Sequence, residues 1–149
     1  MKPGTDYIGV SVGALILNKQ GEMFLTKRGK HATNERGTWE IPGGKVRFGE
    51  TLKAAVLREM QEEYGVELVL TYQFPAQDHI LASEKQHWVP TCFIARIPTG
   101  QEPVIREPDK CEAIGWFSLS ALPSPLSVIT KLDIAAYRKY LTKRDVNMI

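Results

Sequence analysis

Three glutamates on one predicted helix are the residues of this 149-residue chain whose types and spacing best suit chemistry. Residues 51–64 predict a helix because they hold many strong helix formers and neither Gly nor Pro. At about 100° per residue, Glu59, Glu62 and Glu63 fall within one sector of that helix, beside an apolar stripe. Mg²⁺ prefers oxygen ligands and often joins carboxylates to substrate phosphates. The pattern therefore predicts a Mg²⁺ site, with Mn²⁺ as a substitute ion, whereas a solvated acidic helix face is the competing explanation.

The residues around these glutamates indicate how they are held. Ile41-Pro42-Gly43-Gly44 predicts a turn whose glycines let the backbone approach closely. Arg58 precedes Glu62 by four residues, a spacing at which a bidentate ion pair can hold the carboxylate in position. Glu50 comes just before the helix and can anchor Arg58 from the other side. Arg58 is therefore predicted to position Glu62.

A basic stretch leads into the acidic helix. Residues 27–47 contain six basic side chains and two acidic ones. This arrangement suits a polyphosphate held against bound cations, so Lys27, Arg28 and Lys45 are candidate phosphate-binding residues. An ordinary charged loop is the alternative, and it is the better explanation for Lys30, Glu35 and Arg36.

The composition fits one globular domain spanning residues 1–149. The chain is 43% hydrophobic with a formal net charge of +2, and a chain of this length can bury a core of its own. It has no large basic patch with interleaved aromatic residues, so no nucleic-acid partner is expected. The apolar run over residues 8–17 is too short to span a membrane, and no membrane partner is expected. Cys92 and Cys111 have neither the spacing of a metal site nor the density of a disulfide scaffold, which favours reduced thiols in a cytoplasmic protein.

The predicted elements alternate between strands and helices. Strand-like runs, rich in β-branched and aromatic residues and bounded by turn residues, cover residues 7–17, 22–27, 66–74, 88–97 and 113–118. The first helix is expected to begin at an N-cap on Thr51 and to end at Gly65. A second helix is expected over residues 127–141, and its predicted apolar face consists of Val128, Leu132, Ala135 and Ala136. This order predicts an α/β fold in which helices pack on the faces of a mixed sheet.

The stretch from Gly44 to Val66 reads GKVRFGETLKAAVLREMQEEYGV and resembles the complete Nudix box. The resemblance implies the family's α/β/α sandwich with a mixed β-sheet, and a hydrolase that acts on phosphorus-containing anhydrides. It also implies that a backbone carbonyl, Gly43 first, joins Glu59 and Glu63 as a metal ligand. The segments at residues 24–28 and 39–44 are similar to the MutT branch of the family, in which a basic residue near Lys27 or Arg28 meets phosphate.

One departure from the MutT pattern concerns the base of the substrate. MutT reads guanine with an Asn near the start of its last helix, and the region around Pro125 contains none. A broad preference among bases is therefore expected rather than strict recognition of oxidised guanine.

These observations predict a Mg²⁺-dependent pyrophosphohydrolase that converts nucleoside or deoxynucleoside triphosphates to the monophosphate and pyrophosphate. Glu62 is the first candidate for the base that takes the proton of the attacking water, and Glu112 is the second, since the family often supplies a carboxylate from that region. The alternative substrates are ADP-ribose or another nucleotide-sugar. A nucleotide-sensing module without hydrolysis is a further alternative, which the intact Arg58-Glu59 and Glu62-Glu63 disfavour. A homodimer would be in keeping with the family.

Overall fold

The computed structural model describes residues 1–147, which form two β-sheets and two long helices. The strands and helices, in chain order, are β1 (Gly9–Ile16), β2 (Met23–Arg28), β3 (Trp39–Glu40), β4 (Gly43–Lys45), α1 (Leu52–Tyr64), β5 (Val69–Gln73), β6 (His79–Leu81), a short 3₁₀ helix (Ala82–Glu84), β7 (Gln86–Arg96), β8 (Cys111–Phe117) and α2 (Val128–Asn147). The predicted domain runs to residue 149, and residues 148–149 lie outside the described part.

The larger sheet has the strand order β4-β1-β7-β5, with β6 also paired to β7. Strands β1 and β7 are parallel along their whole shared length, while the other pairs in this sheet are antiparallel. A smaller antiparallel sheet has the order β3-β2-β8. The predicted α/β/α sandwich with a mixed sheet is confirmed, and the strands divide between two sheets instead of forming one.

Strand β1 shows why helices cover both sides of the larger sheet. Val12, Ala14 and Ile16 pack in one apolar cluster with α1, whereas Leu15 belongs to a second cluster that contains residues of α2. Successive side chains of a strand point to opposite faces. A strand buried on both faces reads as a continuous apolar run, which explains the hydrophobic stretch over residues 8–17.

The first helix has the predicted caps. The Thr51 side chain accepts a hydrogen bond from the Ala54 amide, and Gly65 ends the helix with φ of 68°. The positive φ suits glycine, which lacks the Cβ that would be strained there.

Two local predictions were wrong. The segment predicted as a turn contains strand β4, in which Gly43 and Gly44 pair with Gly13 and Val12. Glycine is needed at Gly43 because a Cβ there would overlap the Val12 backbone. In the second helix, Val128 and Leu132 are exposed, so the predicted apolar face is displaced; the buried face instead carries Thr130, Asp133, Ile134 and Tyr137.

The cysteines are not joined in a disulfide. Both Cys92 and Cys111 are buried free thiols. Within residues 1–147, neither long helix is apolar enough to cross a membrane.

Candidate active site

The side chain of Glu59 packs directly on the backbone of strand β4. The side chain is 13% exposed, and its carboxyl group lies against Gly44, where an added Cβ would overlap it. Gly44 is in turn paired with Val12 of β1, at the edge of the larger sheet that β4 forms. A glycine at this position therefore lets a carboxylate of α1 approach the sheet backbone, and it fixes where that carboxylate lies.

Glu63 shares the same space, one helical turn further along α1. Burial first, and then the neighbouring Glu59 and the more distant charge of Glu107, together raise the pKa of Glu63 to about 8. Two carboxylates held together in a half-buried site disfavour one another's ionisation. The structure therefore places these two of the three predicted acidic residues side by side.

The groups that could bind a metal ion around Glu59 and Glu63 are oxygen atoms. Among the side chains that the structure describes, no three from His, Cys, Asp and Glu are grouped to hold a metal ion. The carboxylate pair and the adjoining β4 backbone, with Gly43 in it, offer a smaller set of hard ligands. Such a set fits Mg²⁺, which keeps several waters and uses only one or two protein carboxylates.

Arg58 connects the residues around the carboxylate pair. Its guanidinium donates two hydrogen bonds to Glu50, one of them from Nε and the other 3.0 Å long from the terminal nitrogen. It also donates to the Lys45 carbonyl at 3.0 Å, to Glu59 at 3.0 Å and to Glu62 at 3.2 Å. These bonds raise the pKa of Arg58 and lower the pKa of Glu50 to about 2. The bidentate partner of Arg58 is thus Glu50, and the predicted contact with Glu62 is a single one.

The two candidate bases lie on different elements. Glu62, on α1, is 44% exposed and forms ion pairs with Arg58 at 3.2 Å and with Arg47 at 3.6 Å. Glu112, on β8, is 43% exposed and pairs with the Lys27 ammonium group at 3.2 Å. Both carboxylates are within reach of solvent, and each is already next to a cation.

Two cavities adjoin along strand β4. One, of about 270 Å³, is lined by Glu63 together with the basic side chains of Lys27, Lys45 and Lys110. The other, of about 240 Å³, extends between the larger sheet and α2. Gly43, Lys45 and Arg28 are among the residues that line both. A ligand with an anionic end and a bulky end could occupy the two together.

Arg28 has protein partners for most of its guanidinium. It donates to Glu40 at 3.0 and 3.3 Å, to the Asn34 carbonyl at 2.9 Å and to the Asn34 side chain at 2.8 Å. Burial raises the pKa of Glu40, and the charge of Arg28 opposes that rise. Lys45, by contrast, holds its ammonium group 5.8 Å from the centre of the Trp88 ring and has no carboxylate partner among the described residues. Of the predicted phosphate-binding residues, Arg28 is the one most occupied by the protein itself.

Comparison with known proteins decides the family. The model of the family described as the NUDIX domain matches residues 8–140. The chain belongs to the NUDIX domain family. The prediction of a MutT-like Nudix hydrolase is therefore confirmed at the level of the family.

Solved and curated Nudix relatives agree with this assignment. The crystal structure of a MutT NUDIX hydrolase from Burkholderia pseudomallei is 38% identical with a TM-score of 0.78, over 85% of this chain and 95% of that one. Human "8-oxo-dGDP phosphatase NUDT18" is 30% identical over 85% of this chain, which spans only 38% of that protein. An RNA pyrophosphohydrolase of Gluconacetobacter diazotrophicus is 30% identical over 76% of this chain and 78% of that protein.

Three residues of this Nudix domain were missed by sequence reasoning. Lys110 lines the cavity that contains Glu63, yet its position in the polar segment before β8 gave no sign of this. Asp133 and His79 line the cavity beside α2. The sequence did offer a sign of Asp133, which is an acidic residue between the apolar Leu132 and Ile134. It was overlooked because the apolar face of the helix was predicted at the wrong residues.

Proposed function

We propose that this Nudix domain uses Mg²⁺, or Mn²⁺ in its place, to hydrolyse nucleoside and deoxynucleoside triphosphates to the monophosphate and pyrophosphate. The observation that carries the proposal is the carboxylate pair of Glu59 and Glu63 beside Gly44, at a cavity with three lysines. Free nucleotides are the proposed substrates because the two adjoining cavities, of about 270 and 240 Å³, offer separate room for phosphates and for a nucleoside.

The residues proposed to hold the cation are Glu59, Glu63 and the backbone carbonyl of Gly43. A divalent cation bound there would neutralise phosphate oxygens and make the phosphorus more open to attack. Arg58 contributes by holding Glu59 through a 3.0 Å hydrogen bond while it is itself fixed by Glu50. This arrangement keeps one metal ligand in place before the substrate arrives.

Glu62 is proposed as the base that accepts the proton of the attacking water. Its contacts with Arg58 and Arg47 hold the side chain in one position on α1, and a carboxylate there could accept the proton of a nearby water. Glu112 is the second candidate, because its carboxylate adjoins Lys27 at the cavity that receives the phosphates. Arg58 would act as a positioning residue for Glu62.

Lys27 and Lys45 are proposed to bind the phosphates that extend beyond the metal, and Lys110 joins them because it lines the same cavity. Arg28 has a different proposed role. Its guanidinium lies 3.0 Å from the Glu40 carboxylate. The ion pair offsets the negative charge of Glu40 in the cavity wall, which would otherwise repel the phosphates. ADP-ribose and nucleotide-sugars remain the alternative substrates. The names of the relatives add two more, 8-oxo-dGDP and the pyrophosphate of RNA.

The test is a substrate panel measured with Mg²⁺, with products separated and kcat/KM compared. The panel contains the common dNTPs, oxidised dGTP and dGDP, ADP-ribose, a UDP-sugar and RNA with a 5′-triphosphate. The expected result is release of pyrophosphate from dNTPs, abolished by chelation of divalent ions and restored by Mg²⁺. If ADP-ribose were hydrolysed and the triphosphates were not, the proposal would be overturned in favour of the alternative. Binding of nucleotides without turnover of any would favour a sensing module.

A further inference from the structure

The cavity between the larger sheet and α2 is lined by two buried polar side chains that the proposed hydrolysis does not use. Asp133, on α2, is 5% exposed, and His79, on β6, is 9% exposed. Buried polar groups in proteins nearly always have hydrogen-bond partners, so buried polar atoms that the protein leaves unpaired call for a ligand or ordered water.

Asp133 has one protein partner. Its Oδ1 accepts a hydrogen bond of 2.9 Å from the Gln77 side-chain amide. Among the described side chains, none donates to Oδ2 and none forms an ion pair with this carboxyl group. Burial raises the pKa of Asp133 to about 7. An acidic group in this setting has acceptor capacity that the protein leaves open.

His79 has an open position of its own. Its Nε2 is buried and has no hydrogen-bond partner among the described residues. Burial also lowers the pKa of His79, which favours the neutral imidazole. A neutral imidazole can present an acceptor at Nε2 when its proton is on the other nitrogen.

The position of the pair indicates which part of a ligand would reach it. The cavity that Asp133 and His79 line also contains Gly43 and Lys45, which line the lysine-rich cavity as well. A nucleotide with its phosphates among the lysines therefore directs its base toward the end of the adjoining cavity. Trp88, which lines that cavity too, adds an aromatic wall.

We propose that Asp133 and His79 recognise the base of the nucleotide and select bases that carry an exocyclic amino group. An amino group has two N–H donors, and the unpaired acceptors in this cavity are Oδ2 of Asp133 and Nε2 of His79. A carbonyl oxygen at the same position would face two acceptors and leave both unpaired. This inference rests on the proposed function, and it replaces the expectation of a broad base preference with selection by one functional group.

The test compares nucleotides that differ only in that group. The pairs are dCTP with dUTP, and dGTP with dITP. In the parent protein, kcat/KM is expected to favour the amino member of at least one pair by about ten- to hundredfold, the range for a hydrogen bond to a charged group. Asp133→Asn places an amide nitrogen beside the ligand's amino group, and the preference should fall to within about threefold.

Two further variants make the comparison specific. His79→Phe removes the second acceptor and should also reduce the preference, whereas the exposed Asp78→Asn is the matched control and should retain it. Thermal unfolding of each variant checks that it is folded. Retention of the full preference by Asp133→Asn, or no preference for an amino base in any pair, would overturn the inference.

Binding of the monophosphates separates this inference from the proposed function. Calorimetry with dCMP against dUMP, and dGMP against dIMP, requires no hydrolysis. Preferential binding of the amino member that Asp133→Asn loses would support base recognition even if no triphosphate were hydrolysed. Hydrolysis of triphosphates without any such preference would support the proposed function and overturn this inference.

Discussion

A side chain on Gly44 and the carboxyl group of Glu59 would occupy the same space. Gly44 is paired with Val12 of β1 and cannot withdraw without breaking that pairing. The carboxylate of Glu59 is therefore positioned by the absence of a side chain as much as by its hydrogen bond to Arg58. This relationship leads directly to the first prediction.

Gly44→Ala should destabilise the protein by about 1–3 kcal/mol, because the added methyl group forces Glu59 from its position. The cost should fall to less than about 1 kcal/mol in a Glu59→Ala background, where the overlap is absent. Urea unfolding of the parent, both single variants and the double variant measures this. An equal cost in the two backgrounds would show that the overlap with Glu59 is not the cause.

Glu63→Gln should abolish Mg²⁺-dependent hydrolysis while the fold is retained. The substitution keeps the shape of the side chain and removes its repulsion with Glu59, so thermal stability without divalent ions should stay level or rise. The increase in melting temperature on adding Mg²⁺ should be smaller than in the parent. Glu67→Gln, an exposed change just after α1, is the control. Parental activity of Glu63→Gln at saturating Mg²⁺ would contradict the metal assignment.

Glu62→Gln and Glu112→Gln distinguish the two candidate bases. Loss of the base should lower kcat by about 10²–10⁴-fold with a much smaller change in KM. We expect that loss for Glu62→Gln and no more than about a tenfold loss for Glu112→Gln, since Glu62 shares Arg58 with the proposed metal ligand Glu59, whereas Glu112 lies on β8 beside Lys27. Steady-state kinetics with one dNTP measures both. The reverse order would move the role of base to Glu112.

Arg28→Ala and Lys45→Ala should affect different properties, stability in the first and substrate binding in the second. Removing Arg28 leaves the carboxylate of Glu40 without its cation and should lower the free energy of unfolding by about 1–3 kcal/mol. Arg28→Ala with Glu40→Gln should recover most of that loss. Lys45→Ala should leave stability near the parental value and raise KM for triphosphates by about three- to tenfold. A purely kinetic effect of Arg28→Ala would instead support direct contact with phosphate.

Asp133 should make the stability of the protein depend on pH. Its pKa is about 7 in the folded protein and 3.8 in the unfolded chain, so the folded state binds more protons between these values. The contribution of Asp133 to the free energy of unfolding therefore falls as pH rises through this window. Asp133→Asn removes that contribution, and the variant should gain on the parent by on the order of 2–4 kcal/mol between about pH 4 and about pH 8. Urea unfolding across the range measures it, and a constant difference would show that Asp133 does not titrate there.

The sequence predicted the parts of the site that local features determine. Helix α1 has its cap residues and its apolar stripe within one short segment, and the spacing of Arg58, Glu59, Glu62 and Glu63 identifies the family. Helix geometry alone brings Glu59 and Glu63 together. The Arg58–Glu62 contact followed from the same periodicity, although Glu50 is the stronger partner.

The remaining parts depend on contacts between distant segments. Strand β4 has low strand propensity because it begins with two glycines, and only its pairing with β1 makes it a strand. The Arg28–Glu40 pair joins residues on neighbouring strands of the smaller sheet. The cavity with Asp133 and His79 draws its walls from β1, β6, β7 and α2. No local pattern encodes such an assembly. Because the buried face of α2 was assigned to the wrong residues, Asp133 was not predicted to line a cavity.

The segment before the glycine strand is bound to the start of the last helix. The Trp39 carbonyl accepts a hydrogen bond from the Ser127 amide, the Trp39 amide donates to the Pro125 carbonyl at 2.8 Å, and the Ile41 amide donates to the Thr130 hydroxyl at 3.0 Å. The ribosome synthesises residues 39–66 long before residues 125–130. On a growing chain α1 can form early and β4 can pair with β1, which has already been made. The hydrogen bonds of Trp39 and Ile41 to residues 125–130 form only after those residues have left the exit tunnel, so the segment that leads into β4 is secured late in synthesis.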